Sequence, residues 1–303
     1  MNDRKRPYFG ITLSGLELPG ERTFATHTAA ALELQRQTGF NAVEIWMDGI
    51  SNAPVNFWPE DYDEHRLAEM AAFLAHFDTF GVHLPFAFSD YTAINPTVAR
   101  AAADQIALGI DAAVTLGASY CVAHARFRNL GHVSEEENFR RYAEAFRAFA
   151  ERAAAGGATF CVETCEFLDS PDKFLRMIEL TDHPNCKLTL DAGKFMVYAS
   201  ANFGREGAKD KMDWTDGCRN MLAWLDEHAD LIGSTHLWDY EKYPGAGSRI
   251  LPGNGLCDIR GVVARLIAGG YAGSFNLETS GSFEQEKKAI LTLKGYIETA
   301  ERQ

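Results

Sequence analysis

A single (β/α)8 barrel covering residues 1–303 is the fold class that the sequence predicts, and three observations predict it. Short β-branched or aromatic runs alternate with longer stretches of helical period, the pattern of βα units on a parallel sheet. Eight such units fit at intervals of roughly 30 to 45 residues, in a chain slightly longer than the ~250 residues usual for a closed barrel. No G-x-G-x-x-G follows the first strand, so the main competitor, an open doubly wound sheet, lacks its frequent glycine-rich first turn. No linker, sequence repeat or low-complexity tract marks a second domain.

The expected strands, in order, are YFGITLS (8–14), NAVEIWM (41–47), FGVHLPF (80–86), SYCVAHA (119–125), TFCVETC (159–165), KLTLDAG (187–193), LIGSTHL (231–237) and GSFNLET (273–279). The segments ARAAADQIALGIDAAVTLGA, EEENFRRYAEAFRAFAERAAAGG and SPDKFLRMIEL between them place Ala, Leu, Phe and Ile three and four residues apart, which predicts one-sided amphipathic helices. Asn95-Pro96 and Ser170-Pro171 put a capping side chain before a first-turn proline, and Gly117, Gly156 and Gly269 follow the last periodic residues. Two long loops are expected, at 194–215 and 239–257, and loops of that length in a compact domain are often functional.

The bulk numbers narrow the function classes. With 46% hydrophobic residues the chain can bury a substantial core. No segment approaches the roughly 20 continuous apolar residues of a membrane span, and the N-terminus MNDRKRPYFG has no apolar run behind its basic residues. A cytoplasmic location is the resulting expectation. Cys121, Cys161, Cys165, Cys186, Cys218 and Cys257 form no Cys-x-x-Cys pair and read as reduced apolar fillers. A net charge of −13 without a basic run disfavours nucleic acid and anionic membranes as partners. The sequence leaves homo-oligomerisation open.

The chemistry is carried by the strand ends, which converge on one mouth in a barrel. His83, His124, Glu163, Asp191, His236 and Glu278 stand at the ends of the third to eighth strands. One such carboxylate can simply cap a helix or meet a lysine. Six together would desolvate and repel one another without a cation. Glu163, Asp191, His236 and Glu278 make a hard, oxygen-rich set for one divalent metal ion, with Mn²⁺ or Mg²⁺ favoured and Zn²⁺ or Co²⁺ admitted.

The chain resembles the xylose isomerase-like TIM barrels, a family that includes ketose 3-epimerases, hydroxypyruvate isomerases, inosose dehydratases and the class II AP endonucleases. The motifs VHLP (82–85), VAHA (122–125), VET (162–164), LDAGK (190–194), THLWD (235–239), LPGNG (251–255) and NLET (276–279) occur in the family's order. The resemblance implies a single divalent ion on Glu163, Asp191, His236 and Glu278, with the two glutamates as catalytic acid and base, and Arg249 as the nearest counterpart of a substrate-binding arginine. Lys194 stands where the family usually has histidine, and GAGSRIL replaces an Asp-x-His motif of the endonucleases. Both departures leave a trinuclear DNA-nicking site incomplete.

The expected reaction is isomerisation or epimerisation of a small sugar, ketose or polyol-derived substrate through a metal-stabilised enediolate, with Glu163 and Glu278 exchanging the proton. A dehydratase that expels a β-hydroxyl is the alternative; an endonuclease or a non-catalytic sugar-binding barrel ranks lower. Lys194 can bond a substrate oxygen or pair with Glu163 or Asp191. His83 and His124 can orient substrate hydroxyls or serve as structural histidines. Trp46, Phe86, Phe88, Tyr91, Trp238 and Tyr240 lie past strand ends, as substrate walls (Trp238 foremost) or as packing. Asp239 and Glu166 read as supporting or solvated charges. Lys209 and Lys211 give a weak hint of phosphate binding.

Overall fold

The computed structural model describes residues 7–20, 22–49, 53–87, 89–126, 133–165, 167–200, 214–240, 250–253 and 255–303. Eight parallel strands close on themselves in the order β1 (Tyr8–Thr12), β3 (Ala42–Trp46), β4 (Thr79–His83), β5 (Tyr120–His124), β6 (Thr159–Glu163), β7 (Cys186–Asp191), β8 (Ile232–Leu237) and β9 (Ser274–Leu277). Each lies within its expected segment, or within one residue of it. The ring closes where β1 meets β9, with Tyr8 beside Ser274 and Ile11 beside Leu277.

Among the described residues the helices are α1 (Phe24–Thr38), α2 (Glu64–Leu74), α3 (Pro96–Leu116), α4 (Glu135–Ala155), α5 (Pro171–Thr181), α6 (Ala192–Tyr198), α7 (Trp214–His228), α8 (Ile259–Ala268) and α9 (Phe283–Ala300). Asn95 and Ser170 cap α3 and α5 by accepting from the Thr97 and Lys173 N–H groups, and Gly117 closes α3 in the left-handed region at φ 86°. No helix of the described residues is long and apolar enough to cross a membrane. All six cysteines are free and buried.

Strand alternation sorts the side chains into two environments. Phe160 and Val162 of β6, Cys121 and Ala123 of β5 and Phe275 and Leu277 of β9 join the large core beneath the helices. The intervening Tyr120, Val122 and Cys161 form a separate small cluster inside the barrel. Polar side chains fill part of the remaining interior, including Thr189 paired with Ser234 at 2.6 Å. The outward face binds helices by apolar burial, whereas the inward face is held together by hydrogen bonds.

The first of the two long loops is shorter than the sequence predicts, and the second spans the expected stretch between β8 and α8. Asp191 ends β7 and at once caps α6, accepting from the Lys194 N–H at 2.9 Å. The buried Phe195 and Met196 then anchor that helix. Residues 201–213 lie outside the described residues, Lys209 and Lys211 among them. After β8, Asp239 pairs with Ile250 in an antiparallel bridge, and its carboxylate accepts from the N–H groups of Tyr240, Gly255 and Cys257 at 2.7–2.9 Å. Residues 241–249 and 254 are also outside the described set. The sequence gives no sign of the small parallel sheet in which β2 (Leu16–Glu17) pairs with β10 (Gly281–Ser282) beside the barrel seam.

Glu286 of α9 is buried, and Thr279 Oγ1 reaches its two carboxylate oxygens at 2.9 and 2.8 Å. Burial pushes its carboxyl up to about 7, against the Thr279 hydroxyl, which favours the charge. A folded-state pKa above the unfolded value of ~4.5 contributes stability below pH ~4.5 that is lost as pH rises through about 7. Glu286→Gln is therefore expected to gain about 1–3 kcal/mol over the wild type at pH 8 and nothing at pH 4.5. Thermal unfolding at both pH values checks this; a difference independent of pH would contradict it.

Candidate active site

β4, β5, β6 and β7 end on His83, His124, Glu163 and Asp191, His236 is the penultimate residue of β8, and Glu278 follows β9 directly. All six side chains are buried. Glu163 is their hub. Its Oε2 lies 2.8 Å from His124 Nε2, 3.3 Å from His83 Nε2 and 3.3 Å from His236 Nδ1, while Oε1 accepts from Lys194 Nζ at 2.5 Å. Lys194 Nζ also reaches Asp191 Oδ2 at 3.2 Å, and Glu278 Oε2 stands 3.6 Å from His236 Nδ1. His83 and His124 touch through their Nε2 atoms at 3.1 Å, and the His83 ring stacks on that of His236 with centroids 5.7 Å apart.

Charge decides the protonation of this cluster. Burial alone would raise the Glu163 carboxyl, but His124, Lys194 and His236 together hold it well below the usual carboxylate range. Burial alone would lower Lys194, and Glu163 and Asp191 instead push it well above its ordinary value. For His236 the carboxylates of Glu44, Glu278 and Glu163 likewise outweigh burial and raise the imidazole. His124 is raised chiefly by Cys165 and Glu163, again against burial.

The structure gathers Glu163, Asp191 and His236 so that their donor atoms lie within 4.8 Å of one another, and it does the same for His83, His124 and Glu163. His236 Nδ1 forms no well-aligned hydrogen bond although two carboxylate oxygens lie within 3.6 Å of it. Two carboxylates and a ring nitrogen converging in this way, with the Glu278 carboxylate beside that nitrogen, fit a divalent cation. The second trio, sharing Glu163, also has the composition of a cation site.

The other expected residues divide between the site and the packing around it. Trp238 is buried, and a Cβ on Gly193 would sit 2.7 Å from its ring, so Trp238 packs under the first turn of α6. Tyr91 packs against Tyr142, Phe146 and Phe149 and bonds the His124 carbonyl through its hydroxyl. Trp46 and Phe86 flank His83 with centroids at 5.3 and 5.1 Å. Arg249, Phe88 and Glu166 lie outside the described residues.

Three contributors escape the sequence reading: Glu44, Tyr120 and Asn276. Glu44 of β3 accepts from His236 Nε2 at 3.0 Å and from the Tyr120 hydroxyl at 3.1 Å, and Asn276 Nδ2 donates to that hydroxyl at 2.5 Å. The available signal was a lone carboxylate in the middle of the apolar run AVEIW.

Residues 32–296 match the family model described as xylose isomerase-like TIM barrel. No curated protein matches the sequence at a significant level. Among solved structures the chain is similar to a D-tagatose 3-epimerase-like protein, with TM-score 0.72 and 17% identity over 97% of this chain and 98% of the other. An L-ribulose 3-epimerase gives TM-score 0.70 and 19% identity over 98% and 96%. The IOLI protein with a bound zinc atom gives TM-score 0.67 and 17% identity over 97% of each chain. At such identities the structural likeness speaks for the fold. The closed parallel barrel and a family match running from α1 to α9 together establish that the chain belongs to the xylose isomerase-like TIM barrel family.

Proposed function

We propose that the protein is a divalent-metal-dependent isomerase or epimerase of a small sugar, ketose or related hydroxy-carbonyl compound. The observation that carries this reading is the convergence of Glu163, Asp191 and His236, with Glu278 beside His236, at the mouth of the barrel. The family membership and the epimerases and zinc-containing IOLI protein among the structural neighbours support it. The proposed ligands are Glu163, Asp191, His236 and Glu278. When bound, the cation supplies Lewis-acid polarisation of adjacent carbonyl and hydroxyl oxygens, a role that Mn²⁺, Mg²⁺, Zn²⁺ and Co²⁺ can all fill.

Glu163 and Glu278 are the proposed proton-transfer pair. One removes the proton from the carbon next to the carbonyl, and the other returns a proton to that carbon on its opposite face. Return to the neighbouring carbon gives aldose–ketose isomerisation instead. The cations around Glu163 weaken it as a base, so close placement against the C–H bond must compensate. His83 and His124 orient substrate hydroxyls. Lys194 pairs with Glu163 and Asp191, and Trp238 supports it by packing on Gly193.

A lyase that dehydrates a polyol ketone is the second reading. It is favoured by the Lys194 ammonium beside Glu163, a cationic group near the place of a departing hydroxyl. The charge of −13 and Lys194 at the family's histidine position weigh against an endonuclease.

Purified protein is expected to carry about one divalent ion per chain by elemental analysis; about two would assign His83, His124 and Glu163 to a second cation. In D₂O, a ketose and inosose panel should reveal a substrate that gains deuterium next to its carbonyl. Chelation should abolish this exchange, and Glu163→Gln or Glu278→Gln should slow it at least ~100-fold. Loss of water from the labelled substrate would favour the lyase, and no exchange over the whole panel would remove the enediolate chemistry.

Lys194→Met leaves two buried carboxylates without their shared ammonium. In chelator-treated protein it is expected to cost about 2–4 kcal/mol of stability by thermal or denaturant unfolding. An unchanged midpoint would show that the lysine does not neutralise them.

A further inference from the structure

We infer that Glu44 is a positioning residue for this site, fixing the His236 imidazole so that Nδ1, not Nε2, is the nitrogen offered to a cation. The inference rests on the metal-dependent reading above and deepens it. It follows from the directions of four buried hydrogen bonds. Ser274 Oγ donates to Asn276 Oδ1 at 2.8 Å, which leaves the Asn276 amide nitrogen to face Tyr120. That nitrogen can only donate, so the Tyr120 oxygen accepts from it and turns its own proton to Glu44 Oε2 at 3.1 Å. Glu44, already accepting the tyrosine proton, meets His236 Nε2 as an acceptor too, at 3.0 and 3.1 Å from its two oxygens, so that ring nitrogen carries a proton. With Nε2 keeping its proton, Nδ1 is the nitrogen that gives up its own proton and offers a lone pair to a cation, and it is the atom facing Glu163 and Glu278.

The barrel gives this row of side chains space and rigidity. Tyr120 lies against Gly81, where an added Cβ would come within 1.9 Å of the ring, so only glycine admits the tyrosine. Glu44, Asn276 and His236 are fully buried, which excludes water as an alternative partner and makes each bond costly to leave unmade. Glu44 and His236 are 192 residues apart, and β3 and β8 are not neighbours in the sheet, so this contact crosses the barrel interior. A carboxylate behind a ligating histidine orients the ring and raises its basicity, and losing such a partner typically costs 10–100-fold in metal affinity.

The test compares Mn²⁺ binding by calorimetry in the wild type, Glu44→Gln and Tyr120→Phe, with the ring proton of His236 located by ¹⁵N-histidine NMR on Zn²⁺-loaded wild type. His236→Gln identifies the signal. The amide introduced by Glu44→Gln can donate as well as accept, so the ring is no longer held in one tautomer. We expect Glu44→Gln to bind Mn²⁺ about 10- to 100-fold more weakly with the fold retained by circular dichroism. Tyr120→Phe should weaken binding by a smaller factor, and the His236 proton should reside on Nε2. Glu44→Gln binding within twofold of the wild type, or a proton on Nδ1, would overturn the inference. Should Glu44→Gln fail to fold, Tyr120→Phe and the wild-type spectrum decide the matter alone. A wild type that binds neither Mn²⁺ nor Zn²⁺ would remove the metal reading itself, an outcome distinct from equal binding by wild type and variant.

Discussion

The cost of burying the Glu163 carboxylate governs the mouth of this barrel. A desolvated carboxylate is tolerated only when paired and hydrogen-bonded, and Glu163 is surrounded by three imidazole nitrogens and one ammonium within 3.3 Å. Lys194 is shared with Asp191, and His236 with Glu44 and Glu278, so the neutralisation spreads over the whole cluster. The protein is strongly acidic overall, yet it concentrates cationic side chains here. The same arrangement that makes the site foldable supplies the carboxylates of a hard-cation site.

Beneath the mouth, the barrel reverses the usual division of labour between core and surface. Its inward positions carry Glu44, Tyr120, Asn276, Thr189 and Ser234, joined by hydrogen bonds, while the apolar core lies outside, between strands and helices. Phe160 meets Phe146 and Phe149 of α4 on that outer side, with centroids 5.6 and 5.9 Å apart. Apolar burial supplies the non-directional stabilisation, and the polar interior supplies orientation. A hydrogen-bonded interior tolerates few rotamers, which suits side chains that must present particular atoms to the site.

The legible parts of the sequence are those set by local patterns. Each barrel strand announces itself by its own residues, and Asn95, Ser170 and Gly117 punctuate their helices through neighbours one to four positions away. The strand-end residues were legible because closing the barrel brings all strand ends together, whatever their separation along the chain. Glu44 was not, because it sits two positions before the end of β3 and gains its meaning only from His236 across the interior. The helix α6 is not legible because Asp191 serves as strand end and cap at once, leaving no spacer, and Gly193 stands in its first turn. For Lys194 the sequence left two partners open, and the structure supports pairing with Glu163 and Asp191.

The seam between β1 and β9, doubled by the pairing of Leu16 with Gly281, joins segments made at opposite times during synthesis. As the polypeptide leaves the ribosome, β1 has only one of its two lateral partners until residues 274–277 emerge, and Glu278 arrives immediately behind them. Closure entropy for so distant a pairing is met late. The hydrogen-bonded lumen and the anionic cluster are thus completed in the same final step, so a chain halted before residue 274 exposes the unpaired edges of β1 and β8, and such edges invite association with other chains.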